Sequence, residues 1–247
     1  MSTVVIPSRF NGPPAIGHGG YVAALLAEPG SATTQVTLRK PAPLDTELHI
    51  RELGDGKRAL YHTPPTASQL GHGELLIAEA ERVAPLGMHV PPPPTLIEAR
   101  ASEIGSPAHF GEAGVHPRCF GCGKLRPPGD GLRLFAGPAP AWAERREVAS
   151  IFQPGPFDDG TGFVERTFVI AALDCPGAFA FMAEHKNAGL LGRIAFEVYA
   201  PVRSTEEHIV TGWQLGHEGR KMFAGTALFD QTGRLLAAAR ATWLAFA

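Results

Sequence analysis

His18-Gly19-Gly20 stands directly before an alanine-rich apolar segment, so the helix predicted over 19–28 opens on two residues without side chains. Backbone amides in a first helical turn point outward without an intrahelical acceptor, and the helix dipole places positive potential behind them. With no Cβ in the way, an oxygen that turns negative during attack on a carbonyl could rest against those amides. Gly19 and Gly20 are therefore a candidate oxyanion hole, although close packing of a helix on a sheet also calls for glycine. His18 titrates near neutrality and is a candidate general base; a histidine in such a turn serves equally as a structural hydrogen-bond partner. Asn11, a little upstream, suits either orientation of a carbonyl or the capping of a turn.

In the second half, Asp174 interrupts the apolar run 168–182, which places a carboxylate beside the core at a helix start. Activation of water is one role for it, an ordinary N-cap is another, and the two are compatible. Cys119 and Cys122 form a CxxC pair, with His116 just before them and Cys175 far along the chain. These residues are possible zinc ligands, but a structural zinc site normally shows a second ligand pair and none is visible. No metal and no cofactor are expected.

The elements that must position these residues occur twice. A Gly/Pro loop leads to the helix 19–28, then strands are predicted over 33–38, 47–52, 58–62 and 74–83. After a helix predicted over 168–184, strands follow over 192–199, 207–215, 221–229 and 235–246. Proline punctuates both series just after the first strand, at Pro41 and Pro201. Leu53-Gly54-Asp55-Gly56-Lys57-Arg58 is echoed by Leu215-Gly216-His217-Glu218-Gly219-Arg220, each a turn between two strands. This is the pattern of an internal duplication. Val90-Pro91-Pro92-Pro93-Pro94 cannot continue a helix or join a sheet interior, because proline lacks the amide donor. The expected organisation is an N-terminal unit over 1–88, a proline-rich linker over 89–115 with a short helix near 96–104, and a C-terminal unit over 116–247. The fold class is α+β, with two antiparallel sheets each wrapped around a central helix.

Composition narrows the partners. Lys and Arg total 22 against 24 Asp and Glu, a net charge of −2, which gives no electrostatic reason to expect nucleic acid or an anionic membrane surface. An anionic ligand must be met locally, and Arg39, Lys40, Arg193 and Arg203 lie near strand ends where they could do so. The N-terminus lacks a basic segment followed by a long apolar run, and the 168–182 run is too short to span a bilayer. Three cysteines in 247 residues make no disulfide framework, so a soluble, reduced, cytoplasmic protein is expected.

Three segments resemble one family. Phe10-Asn11-Gly12-Pro13-Pro14-Ala15-Ile16-Gly17-His18-Gly19-Gly20 looks like the HGG-helix signature of hotdog acyl-CoA thioesterases. Cys119-Phe120-Gly121-Cys122-Gly123, followed by Gly131-Leu132-Arg133-Leu134-Phe135, resembles the opening of many hotdog domains. Ala172-Leu173-Asp174-Cys175-Pro176-Gly177 resembles the second-half helix start of acyl-CoA thioesterase II type double hotdogs. The resemblance implies a tandem hotdog in which Asp174 orients or activates water and faces the Gly19-Gly20 turn of the other half. It also implies substrate contact at Gly177 and, by a weak positional match on the last strand, a water-holding hydroxyl at Thr242. The CxxC segment is then a turn leading into a strand, with no metal implied. One departure matters: single-domain relatives carry an acid on the HGG helix where this chain has Ala27, and Glu28 lies roughly 100° further around. Asp174 is left as the catalytic acid. The expected activity is hydrolysis of an acyl-CoA thioester, with Asn11, Gly177, Arg39 and Arg203 as substrate contacts and a homo-oligomer as a possible assembly. The alternative is an acyl-CoA or fatty-acyl binding protein that keeps the pocket without turnover. Enoyl-CoA hydration would need a closely spaced Asp and His dyad, for which there is no convincing example.

Overall fold

The computed structural model describes residues 2–27, 30, 33–64, 73–110, 116–184 and 189–245. In chain order it contains strand β1 (Ser2–Val5), helix α1 (Gly19–Leu25), and strands β2 (Thr34–Leu38), β3 (Glu47–Gly54), β4 (Lys57–His62) and β5 (Leu75–Arg82). Helix α2 (Leu96–Ser102), the short strand β6 (Gly137–Pro138), the single turn α3 (Trp142–Arg145) and strand β7 (Glu147–Phe152) follow. Helices α4 (Arg166–Ala172) and α5 (Cys175–Met182) then precede β8 (Leu190–Val198), β9 (His208–Glu218), β10 (Lys221–Phe229) and β11 (Leu235–Leu244).

The strands form one antiparallel sheet of eleven in the order β1-β3-β4-β5-β2-β8-β11-β10-β9-β7-β6. Its two sides repeat each other. Outward from the centre, β2-β5-β4-β3-β1 is matched by β8-β11-β10-β9-β7, and β2 pairs with β8 through Gln35↔Ala195 and its neighbours. The expectation of two separate sheets is corrected here, because that central pairing makes the sheet continuous. The cause is the free edge each group of strands would otherwise expose: β2 and β8 satisfy each other's amides and carbonyls.

The single helix expected over 168–184 is also corrected. Pro176 cannot donate to the carbonyl four residues back, at Ala172, and its ring would clash there. Helix α4 ends at Ala172, and α5 restarts at Cys175 with proline in its first turn. Asp174 occupies the joint, and Thr226 Oγ1 on β10 donates to the Leu173 carbonyl at 2.8 Å to hold it.

Helices and sheet share one core. Ile194 and Phe196 on β8 belong to it, with Val22 and Leu26 from the first half and Phe168, Ile170 and Phe179 from the second. Ala195, between Ile194 and Phe196, belongs to a second cluster with Ala149, Ile209, Trp213 and Ala238. That alternation assigns the second cluster to the opposite face of the sheet. The segment after the first-half strands covers this face: Leu86 and Ala99 are buried there, with Met88, Val90 and Leu96 packed against them. Thr95 and Glu98 close a capping box at the start of α2. No helix among the described residues is long and apolar enough to cross a membrane.

One buried carboxylate lies in this framework away from the site. Glu147, at the start of β7, has a fully buried side chain paired with Arg145 at 2.9 Å, and its Oε1 has no partner among the described residues. Burial pushes its carboxyl above the usual range, against the opposing pull of Arg145. A folded-state pKa above the unfolded one adds stability at low pH, and that contribution is lost as pH rises through the folded value. Glu147→Gln is therefore expected to gain in melting temperature relative to wild type as pH rises through that range. Parallel melting curves that keep a constant offset would refute this.

Candidate active site

Helix α1 and the α4–α5 joint meet with almost no side chain between them. A Cβ on Gly20 would lie 2.8 Å from Asp174 Cβ and 3.0 Å from Ala171 Cα, so only glycine permits this approach. The contact delivers Asp174 Oδ2 to the Gly20 amide, which donates to it at 2.6 Å. Asp174 makes no cap bond to its own helix α5; it serves the opening turn of α1 from the other half of the chain. Its Oδ1 is buried without a partner among the described residues.

His18 is the N-cap of α1. Its Nδ1 accepts from the Tyr21 amide at 3.3 Å, so the neutral ring carries its proton on Nε2. That nitrogen lies 3.4 Å from Asp174 Oδ2 and 3.4 Å from Cys175 Sγ. Burial alone would lower the imidazole pKa, but the Asp174 charge and a hydrogen bond with Cys119 outweigh it and leave it raised. Burial raises the Asp174 carboxyl, opposed by His18 and the Gly20 amide.

A thiol cluster completes the polar end. Cys119 and Cys122 lie on the turn from the second half, and Cys119 Sγ is 3.9 Å from Cys175 Sγ. Gly121 seals this contact, since a Cβ there would lie 2.6 Å from both Cys175 Sγ and His18 Nε2. Hydrogen bonding among the three buried thiols splits their titration, with Cys119 held well below the ordinary thiol value and Cys122 and Cys175 pushed above it. His18 Nε2, Cys119 Sγ and Cys175 Sγ lie within 4.8 Å of one another, a spacing that suits a metal ion. The Nδ1 bond from Tyr21 argues against that use, because it leaves Nε2 protonated and a ligating imidazole nitrogen must not be. His116, grouped with the cysteines by sequence spacing, lines the cavity but is not part of this triplet.

One cavity joins these parts. His18, Gly19, Asp174 and the three cysteines form its polar end, Val22, Phe179, Met182 and Trp243 its apolar walls, and Arg39 and Lys40 lie on its exposed side. Arg39 is paired with Glu79, Nε to Oε1 at 2.9 Å.

The sequence candidates thus divide. The structure brings together Asp174, His18, Gly19 and Gly20, with Arg39 at the same cavity. Gly20 donates to Asp174, whereas the Gly19 amide has no acceptor among the described residues, so Gly19 is the donor available to a ligand. Gly177 lies behind the wall, where a Cβ would meet Trp243 Nε1 at 3.1 Å and Ala224 Cβ at 3.2 Å. Asn11 is held by Arg126, its Oδ1 accepting at 2.6 Å, and does not line the cavity. Thr242 pairs with Phe223 and Arg193 in the sheet and does not line it either. Arg203 lies elsewhere, stacked on Phe163 and 3.6 Å from Glu206. Glu28 falls outside the described residues.

Sequence reasoning missed Trp243, which lines the cavity and whose buried Nε1 has no partner among the described residues. It also missed Arg126, which ties Arg118, Asp130, Arg9 and Asn11 together beneath the cysteine turn. A lone arginine in a Gly/Pro-rich loop carries no signal of this kind.

The fold can now be set beside solved structures. A protein assigned as a thioesterase from Novosphingobium aromaticivorans superposes with a TM-score of 0.64 at 12% identity, covering 99% of this chain and 95% of that one. The TesB protein of Mycobacterium avium subsp. paratuberculosis gives 0.60 at 11% identity, covering 99% and 92%. The chain shares the fold of these thioesterases. An acyl-CoA thioesterase II, TesB2, from Mycobacterium marinum gives 0.55 at 14% identity over 99% of this chain and 92% of that one. No protein-family model and no curated protein sequence matches the chain. The thioesterase fold therefore rests on backbone shape along nearly the whole length, and the residues of the site must carry the chemistry.

Proposed function

We propose that the chain is a tandem hotdog enzyme that hydrolyses an acyl-CoA thioester, and that Asp174 activates the attacking water. The observation that supports this most is the division of labour on one carboxylate: Oδ2 is held by the Gly20 amide, and Oδ1 has no partner among the described residues. Oδ1 then takes the water proton as the water oxygen attacks the thioester carbonyl. The Gly19 amide, one residue before the occupied one, receives the developing oxyanion. The acyl chain runs along Val22, Phe179 and Met182, and Arg39 with Lys40 meets phosphates of the carrier at the open side. The two halves, read as hotdog units over 1–88 and 116–247, share one productive site, with Asp174 from one and Gly19 from the other. A cytoplasmic setting and further association of chains belong to the same proposal.

A binding protein without turnover is favoured by a different observation: no hydroxyl from Thr242 reaches the cavity to hold the water with Asp174. The two readings separate in an assay of CoA release from butyryl-, palmitoyl- and benzoyl-CoA. Release of CoA with at least one of them is expected. Saturable binding without release would move the chain to the binding class, and neither binding nor release would end both readings.

A further inference from the structure

One side chain in the cavity wall faces the way that ordinary strand geometry forbids. Along β8, Ile194 and Phe196 face the helices, whereas Ala195 belongs to the opposite face of the sheet. Alternation would carry Arg193, and then Leu191, to that opposite face as well. Arg193 conforms: it is exposed, and its Nε donates to Thr37 Oγ1 at 3.1 Å. Leu191 does not. It is buried in the core cluster that holds Val22, Phe179 and Trp243, on the helix side.

The pairing of β8 with β11 supplies the cause. Thr242 is opposite Arg193 and Trp243 is opposite Leu191, so Gly192 is an extra residue without a partner on β11. A bulge of one residue resets the alternation and turns the residue beyond it to the other face.

Leu191 is thereby delivered to the reacting end of the cavity. A Cβ on Gly19 would lie 2.9 Å from Leu191 Cδ2, 3.1 Å from Leu191 Cβ and 3.1 Å from Asp174 Oδ2. The leucine and the carboxylate both come against Gly19, and all three residues line the cavity. A carbonyl carbon placed for water from Asp174, with its oxygen on the Gly19 amide, has Leu191 as a neighbour. Two groups flank that carbon in a thioester. The sulfur side is the same in every acyl-CoA, so only the acyl carbon next to the carbonyl varies against this wall. Each methyl branch there needs space that a close-packed leucine already fills.

We propose that Leu191, turned inward by the bulge at Gly192, selects acyl groups that are unbranched beside the thioester carbonyl. This rests on the reading of the cavity as an acyl-thioester site and deepens it, by naming straight-chain acyl-CoAs as the substrate class. Asp174 and Gly19 keep their roles, and the leucine limits which acyl groups reach them.

The test compares kcat/KM for butyryl-, isobutyryl- and pivaloyl-CoA in the full-length wild type and in Leu191→Ala. Branching slows thioester hydrolysis by itself, so the change in the butyryl-to-pivaloyl ratio between the two proteins is what reports the leucine. A misfit of one methylene is worth about 10- to 200-fold, and the ratio is expected to fall at least about tenfold in Leu191→Ala. Isobutyryl-CoA should lie in between. Leu191→Val should shift the ratio the same way by less, and it carries the test if thermal melts show the alanine variant unfolded. An unchanged ratio in a folded variant overturns the inference and leaves the hydrolase reading standing. If CoA is released from none of the three, the hydrolase reading fails by itself, and dissociation constants for the same ligands decide the selectivity. Butyryl-CoA bound more tightly than pivaloyl-CoA by wild type, with the gap narrowed in Leu191→Ala, supports it. Equal affinities in wild type overturn it.

Discussion

Asp174→Asn is expected to lower CoA release by roughly 10²-fold or more while the protein stays folded. The amide keeps an oxygen for the Gly20 N–H, so the junction that this carboxylate makes with α1 at 2.6 Å survives. What disappears is the basic Oδ1, the atom without a partner among the described residues. Asp174→Ala would remove both functions together, confusing loss of base with loss of the helix contact. The comparison of the two variants is therefore informative: the asparagine variant should melt close to wild type, and the alanine variant should melt lower because the Gly20 amide loses its acceptor. Rates measured over the acyl-CoA panel, with thermal melts on the same preparations, check both points. Wild-type turnover in Asp174→Asn would remove Asp174 from the chemistry and leave it as a structural cap of α1.

Gly20→Ala should be costly to the fold and to the site at once. The added methyl would sit 2.8 Å from Asp174 Cβ, 3.0 Å from Ala171 Cα and 3.2 Å from the Ala171 carbonyl oxygen. Two of these three are backbone atoms, so no rotamer change relieves the overlap and α1 must move away from the α4–α5 joint. Overpacking of this kind costs about 1–3 kcal/mol, and this case belongs at the upper end. Chemical denaturation with an unchanged m-value measures it. Gly73→Ala is the matched control, because a Cβ there meets nothing within 4 Å; a change within about 0.5 kcal/mol is expected. Equal midpoints for the two variants would mean that α1 and the joint are not as closely fitted as the distances state. Catalysis should fall too, since moving α1 separates the Gly19 amide from Asp174.

Much of this architecture is local chemistry that can be read along the chain. The residues predicted for β10, 221–229, are those observed, and β4, β5 and β9 differ only at their ends, because turn residues flank these runs. Strand β7, Glu147–Phe152, has no glycine or proline immediately ahead of it and is buried at every position, so neither punctuation nor alternation marks it. Strand β1 is unmarked because four residues are too few to show a period. The break at Asp174 is visible as Pro176, but the apolar residues continue on both sides, and local pattern alone favours one helix.

The type of most elements, their repeated order and the residues with a capacity for chemistry, His18, Gly19, Gly20, Asp174 and the CxxC pair, can be read along the chain. Those follow from backbone propensity and side-chain functional groups, which are properties of short stretches. Only the tertiary structure decided how they are combined. Pairing of β2 with β8 turned two expected sheets into one, and contact of α1 with the α4–α5 joint put Asp174 on the Gly20 amide rather than on its own helix. It brought His18, not His116, to the thiols, and left Thr242, Asn11 and Arg203 off the cavity wall. These are contacts between residues as much as 162 positions apart, as Thr34 is from Phe196. They are set by which faces bury one another and which sheet edges must be closed, and no local pattern encodes them.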